Sequence, residues 1–363
     1  MNELAELKQH VAVHARGQRI ADYRDILNRI RTDDGGGPGS WVGEWSRAAA
    51  VLEEHGKDLA AVKYYAMARF PYVDGPDRQE ALERCVRAMD RWRGTQRSGI
   101  EPLDVQLQEG TVRCWAGGLS TSDPKPLLVV MGGIVSVKEQ WAPMLAHVRR
   151  LGMAAVVAEL PGTGENGLRY GAGSWRMLSG LLDAVADRAD VSRTYATALS
   201  FSGHLALRCA VEDPRIRGVV TVGAPIGAFF TDHAWQKRLP RITVDTLAHM
   251  TGTVADAVPG ALDEWALTRE QLAGLDIPVA YVASRRDEII PAADPELLRS
   301  GARRLDLVEF DDVHGAPHHV GEVQLWTTAA LLHARGIRNA QSAVLGMLLR
   351  GQGLRRRLTG SRA

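Results

Sequence analysis

From residue 100 onward, short apolar runs recur at intervals filled by helical patterns. The runs are "PLLVVM" (126–131), "MAAVVAEL" (153–160), "TYATAL" (194–199), "GVVTVG" (218–223), "PVAYVAS" (278–284) and "LDLVEF" (305–310). A strand that is apolar on both faces has to be covered on both faces, and intervening helices supply that cover, so the chain is expected to build a mostly parallel sheet. Ahead of these runs, "LDVQLQ" and "TVRCWAGG" alternate like paired strands around a turn at Glu109-Gly110 and read as an antiparallel edge. The fold class is therefore α/β, with a mostly parallel eight-stranded sheet and helices on both faces. One interval, from Gly223 to Pro278, is too long for a simple crossover and predicts an inserted helical segment around residues 228–265.

Residues 1–98 read differently. "YRDILNRIR", "WVGEWSRAAAVLEEHGKDLAAVKYYAMARFP" and "DRQEALERCVRAMDRW" place apolar residues three and four apart, as amphipathic helices require. The glycine-rich break "TDDGGGPGS" (32–40) lacks a preceding strand and a following Gly-Lys-Ser/Thr, so it reads as a linker rather than a phosphate loop. The expected organisation is a helical unit at 1–98, an α/β core at 99–340, and a C-terminal helix with a basic tail at 341–363. That tail carries Arg355-Arg356-Arg357, read as solvated.

Bulk properties narrow the function. The formal charge of +1 over 363 residues argues against nucleic acid as a partner. No apolar stretch approaches the ~20 residues of a membrane span, and the charged N-terminus has no signal-peptide core. Cys85, Cys114 and Cys209 are scattered and odd in number, which speaks against a disulfide framework or a zinc knuckle. A cytoplasmic protein without metal or cofactor is expected.

The stretch "TYATALSFSGHLALRCA" (194–210) joins a strand to a helix through two serines. A nucleophile elbow needs small residues two positions either side, because strand and helix backbones nearly touch there. For Ser200 those neighbours are Ala198 and Ser202, followed by Gly203. For Ser202 they would be Ser200 and His204, and an imidazole is hard to place. Ser200 is therefore the candidate nucleophile; the competing reading is that either serine merely caps the helix.

A serine needs a base, and the base an orienting acid. "YVASRRDEIIP" puts Asp287 after one strand, and "DLVEFDDVHGAPHH" puts His314 after the last. The order Ser, Asp, His and the placement at carboxyl ends of parallel strands both fit. Glu288, Asp311 and Asp312 are rival acids, with Glu288 expected to point away from the imidazole. His318 and His319 are expected to start the final helix. Oxyanion donors are expected from the backbone N–H of Phe201 and from that of Gly133 or Ile134 in "GGIVSVKEQW". "ELPGTGENG" supplies a tight turn whose simplest role is to end its strand.

Together "MGGIVSVKEQ", "ELPGTGE", the serine elbow, "RRDEIIP" and "VHG" resemble the α/β-hydrolase superfamily over about residues 100–340. Lys138-Glu139 within "GGIVSVKEQW", and the helical N-terminus, resemble its FrsA-like branch, which includes 2,6-dihydroxypseudooxynicotine hydrolase and polyketide-shortening hydrolases. Three positions depart from the family pattern: Ala198 and Ser202 stand where glycines are usual, and Glu159 where an aspartate is common. The resemblance implies the roles already given to Ser200, Asp287 and His314. It also implies a helical domain that covers the site, and cleavage of an ester, a thioester or the C–C bond of a β-diketone in an aromatic or polyketide-like molecule. The substrate would be a small molecule or a carrier-bound acyl group, with residues 1–98 serving as a lid or as a homodimer contact. Trp41, Trp45, Tyr64, Tyr65, Trp175, Phe229, Phe230 and Trp235 are available for an apolar pocket, most of them expected in the core. Two other readings share these residues: an acyltransferase or cyclase using the same acyl-enzyme, and a non-catalytic hydrolase-fold binding protein.

Overall fold

A computed structural model describes residues 3–95 and 99–337. The expected C-terminal helix and basic tail at 341–363 lie outside the described residues. Five helices come first: α1 (Leu4–Gly17), α2 (Tyr23–Arg29), α3 (Trp41–Glu54), α4 (Asp58–Ala68) and α5 (Pro76–Thr95). The 32–40 segment is an ordered loop. Its ends meet in a bridge between Thr32 and Ser40, and the Ser40 hydroxyl caps α3 by accepting from the Gly43 amide at 3.0 Å.

Eight strands follow in one sheet: β1 (Ile100–Leu107), β2 (Gly110–Gly117), β3 (Pro126–Met131), β4 (Ala154–Ala158), β5 (Asp190–Leu199), β6 (Ile216–Val222), β7 (Val279–Ser284) and β8 (Leu305–Phe310). Their spatial order is β1-β2-β4-β3-β5-β6-β7-β8. The β1–β2 and β2–β4 pairs are antiparallel; every pairing from β3 to β8 is parallel. The hairpin turns one residue earlier than its sequence suggests, because Leu107 already pairs with Gly110. All six residues of β3 and all five of β4 are buried, which is why both read as uninterrupted apolar runs.

Helices α6 (Arg176–Ala184), α7 (Phe201–Glu212), α13 (Ala293–Gly301) and α14 (Val320–Ala334) complete the crossovers and the C-terminal end of the described fold. Between β6 and β7 lie α8 (Ala228–Thr231), α9 (His233–Gln236), α10 (Arg241–Thr251), α11 (Val258–Ala261) and α12 (Arg269–Gly274). The segment after β3 forms two 3-10 stretches, Lys138–Gln140 and Ala142–Leu151. Pro143 sits in the first turn of the second, where its missing amide costs no hydrogen bond.

Two large apolar cores lie against the sheet. One joins α6, α7, α8 and α10 with Val129, Val156, Ala196 and Val219. The other joins α1–α5 with Leu128, Val130, Val157 and Val220, so the N-terminal helices share a continuous interior with the sheet. No helix among the described residues is long and apolar enough to cross a membrane.

Candidate active site

The side chains singled out in the sequence converge at the carboxyl ends of the parallel strands. Ser200 follows β5, Asp287 follows β7 and His314 follows β8. Ser200 has φ 54° and ψ −127°, a conformation that L-residues rarely adopt. The chain must turn from β5 straight into α7 there, and Gly203 permits the close approach: a Cβ on it would lie 1.9 Å from Thr221 Oγ1.

Ser200 Oγ lies 3.1 Å from His314 Nε2. On the other side of the ring, His314 Nδ1 lies 3.0 Å from both carboxylate oxygens of Asp287. Asp287 is itself fixed, because its Oδ1 accepts the amides of Ile289 at 2.9 Å and Ile290 at 2.8 Å. Burial pulls the His314 imidazole down, but the Asp287 charge and hydrogen bond, with Glu288 behind them, outweigh it. The net effect holds His314 above the ordinary histidine value.

The rivals separate cleanly. Glu288 is exposed, and its Oε2 accepts the main-chain N–H of His314 at 3.0 Å. Its carboxylate thus anchors the loop rather than the ring. Asp311 pairs with Arg286 at 2.8 Å. Asp312 is buried and accepts from Nδ1 of His318 at 2.7 Å and of His319 at 2.8 Å, tying down the loop that carries His314. Burial would raise the Asp312 carboxyl, but these imidazoles and the amides of His318 and Val313 bring it to about 2.

Gly133 reaches Ser200: a Cβ on it would sit 3.4 Å from Ser200 Cβ. The loop is held carbonyl by carbonyl. Ser202, fully buried, donates its hydroxyl to the Gly132 carbonyl, and the Ser136 amide donates to the Gly133 carbonyl at 2.9 Å. Thr163 Oγ1 donates to the Ile134 carbonyl at 3.3 Å. In a trans peptide the C=O of one residue and the N–H of the next point opposite ways. Each anchored carbonyl therefore aims the following amide, and Ser202 sets the direction of the Gly133 N–H.

Beneath the loop lies a buried charge cluster that accounts for Lys138-Glu139. Lys138 Nζ contacts Glu165 at 2.6 Å, Glu139 at 2.9 Å and Glu159 at 3.5 Å. Glu159 also accepts the Lys138 amide at 3.0 Å and the Glu165 amide at 3.0 Å, binding the "PGTG" turn to the loop after β3. Gly164 leaves room for this, because a Cβ there would be 2.0 Å from Glu159 Oε1. Burial pushes the Glu159 carboxyl up to about 7 against the pull of Lys138.

Local sequence reading overlooked two contributions. Gly223, at the end of β6 with φ 60°, makes room for the imidazole: a Cβ would be 2.8 Å from His314 Cε1. Helix α1 brings His10 and His14 within electrostatic reach of His314. The His14 ring lies tilted against Phe70 with ring centres 5.2 Å apart, and burial first, then its cationic neighbours, pull it down to about 3. Glu6 of the same helix accepts the Ile242 amide of α10 at 3.2 Å, and Tyr72 stacks on His249 at 4.5 Å. The periodicity of 1–17 marks a helix but carries no sign of which groups its polar face meets. Of the aromatic candidates, Trp41, Trp45, Tyr65, Phe229 and Phe230 are core residues, while Trp235 donates to the Ile289 carbonyl at 2.8 Å. Among the described residues, no group of three His, Cys, Asp or Glu side chains is placed to hold a metal ion.

Residues 15–314 match the family model described as Esterase FrsA-like. Esterase FrsA of Photobacterium profundum is 22% identical over 313 residues, covering 78% of this chain and 73% of the relative. Esterase FrsA of Escherichia coli O139:H28 is 24% identical over 341 residues, covering 80% of each. Among solved structures, AbyA5 wild type superposes with a TM-score of 0.93 at 53% identity, covering 96% of this chain and 99% of that one. The 2,6-dihydroxy-pseudo-oxynicotine hydrolase superposes with a TM-score of 0.68 at 18% identity over 87% of this chain and 96% of that one, a likeness of fold.

Proposed function

Because the chain belongs to the esterase FrsA-like family of α/β-hydrolases, we propose that it cleaves a bond next to a carbonyl through an acyl-enzyme on Ser200. The bond is an ester, a thioester or the C–C bond of a β-diketone, in a small aromatic or polyketide-like molecule or a carrier-bound acyl group. The observation that carries this reading is the unbroken chain from Ser200 Oγ through His314 to Asp287.

Ser200 attacks the carbonyl carbon while His314 Nε2 takes its proton. Asp287 keeps Nδ1 protonated and stabilises the imidazolium that results. The tetrahedral oxygen is met by the amides of Phe201 and Gly133, with Ile134 as the neighbouring donor. Neither Phe201 nor Gly133 gives its N–H to a protein acceptor among the described residues. His314 returns the proton to the leaving group, then activates water to release the acyl group. If the leaving group is carbon, it departs as an enolate before protonation. Helix α1 and the α8–α12 segment cover the site and limit water around it. Cytoplasmic residence belongs to the same proposal, supported by three cysteines that are buried and unpaired.

Mass spectrometry of the intact protein with ester, thioester and β-diketone probes tests the reading. A mass increase on the Ser200 peptide that decays in water is expected. Product transfer to an added alcohol or amine in place of water would establish an acyltransferase. Absence of any adduct with all three probe classes would leave only a non-catalytic binding role.

A further inference from the structure

We propose that Arg69, contributed by the helical unit, is a positioning residue for the oxyanion loop and the source of a positive field across it. The inference rests on the reading of Ser200 as nucleophile. Arg69 follows the last turn of α4 and is 1% exposed. Its Nη1 donates to the Pro71 carbonyl at 2.8 Å, and its Nη2 donates to the Val135 carbonyl in the loop after β3. Val135 lies two residues beyond Gly133, whose Cα borders the Ser200 side chain.

The loop is therefore gripped from two sides by different parts of the chain. Ser202 holds the Gly132 carbonyl from the hydrolase core, and Arg69 holds the Val135 carbonyl from the N-terminal helices. Between these anchors lie the two amides from which the oxyanion donor is drawn. By fixing the Val135 carbonyl, Arg69 fixes the peptide unit whose Ser136 N–H holds the Gly133 carbonyl, and with it the direction of the Ile134 amide; release of that end loosens this chain of anchors, and a rotated peptide presents a carbonyl where a donor is needed.

The second observation is electrostatic. Burying a charge is costly unless a partner of opposite sign compensates it. Among the described residues Arg69 donates to no carboxylate, and Glu159 and Glu139 act on it through space. Its Nε is buried without a hydrogen-bond partner among the described residues. Burial lowers the guanidinium to about 10, which leaves it charged at neutral pH. Such a cation gains most when negative charge appears beside the loop, as it does in the tetrahedral intermediate and not in the ground state. That difference raises kcat rather than substrate affinity.

The test uses the full chain, p-nitrophenyl butyrate and a fluorophosphonate probe. For Arg69→Met, kcat and the second-order labelling rate of Ser200 are expected to fall together by about ten- to hundred-fold, below the loss of an oxyanion donor itself, with KM nearly unchanged. Arg69→Lys keeps the charge but cannot span both carbonyls, and is expected to fall between Arg69→Met and wild type. Should Arg69→Met not fold, Arg69→Lys carries the test alone by the same two readouts. A variant that turns over and labels at the wild-type rate, or that loses only KM, overturns the role of Arg69. A wild-type protein that does not label at Ser200 overturns the nucleophile assignment instead.

Discussion

The hydroxyl of Ser202 donates to the carbonyl of Gly132, on the same peptide unit that carries the Gly133 N–H. The second serine of the elbow is thus committed to aiming a backbone donor, while Ser200 alone faces the imidazole. Ser200→Ala should abolish fluorophosphonate labelling and lower kcat by about 10⁶, as loss of a triad serine does. Ser202→Ala should retain labelling at a reduced rate, with kcat down by roughly ten- to hundred-fold, because it loosens a donor without removing it. Normal labelling of Ser200→Ala would show the elbow to be placed two residues away.

The two adjacent acids should separate by function. Asp287→Asn is expected to lower kcat by about 10⁴, since the ring loses the carboxylate that fixes its tautomer. Glu288→Gln retains an oxygen that accepts the His314 amide, so its plateau kcat should change by less than about ten-fold under the same triad logic. Steady-state kinetics on both variants decide the matter, and equal losses would assign a shared acid.

His314 has to be neutral to accept the Ser200 proton, so kcat/KM should rise with pH through one ionisation. The ordinary histidine value is about 6.5, and the surroundings of His314 raise it. The ascending limb should accordingly lie above that value, and activity should be lost as pH falls through it. Glu288→Gln removes a charge that favours the imidazolium and should move the limb to lower pH without lowering the plateau. A profile that stays flat from about pH 5 to 9, where chemistry limits the rate, would remove His314 as the base.

Gly223→Ala tests the space reserved for the imidazole. The added Cβ would fall 2.8 Å from His314 Cε1 and 3.1 Å from Nδ1, at a backbone φ of 60°. The ring must shift, and a displacement of about 1 Å at a reacting group costs on the order of 10² in rate. The expected result is a folded protein with kcat reduced to that extent. Wild-type kcat in this variant would mean that the ring has room to spare.

Much of this architecture is legible in the order of residues. Strands buried on both faces announce themselves as unbroken apolar runs, and the groups that follow them, Ser200, Asp287 and His314, are found by looking at strand ends. The elbow is legible because sterics act within a few residues, from Ala198 to Gly203. What escapes is non-local. Nothing near Gly223 in sequence indicates that an imidazole from far along the chain will rest against it. Arg69 looks like an ordinary helix-end cation until packing delivers it to Val135. The charge cluster around Lys138 draws on separate segments, and only Glu139 is its neighbour in the chain. Glu288 escapes for another reason: an exposed loop acid and an acid that grips a backbone amide have the same local pattern.

The shared interior of α1–α5 and the sheet bears on how a substrate gets in. Leu7, Val11, Trp41 and Met89 belong to one apolar mass with Leu128, Val130 and Val220. Swinging these helices away would expose that whole surface to water, a cost far above thermal energy for each large side chain. That shared interior favours a fixed wall over a moving door. Where α1 and its neighbours meet α10, Ile242 joins that mass while Leu247, Ala248 and Met250 turn to the other core, and the remaining contacts include the Glu6–Ile242 hydrogen bond and the Tyr72–His249 stack. Parting that seam uncovers far less apolar surface than moving the wall. Substrate is therefore expected to reach Ser200 along it, with the stretch of chain between β6 and β7 moving to admit it.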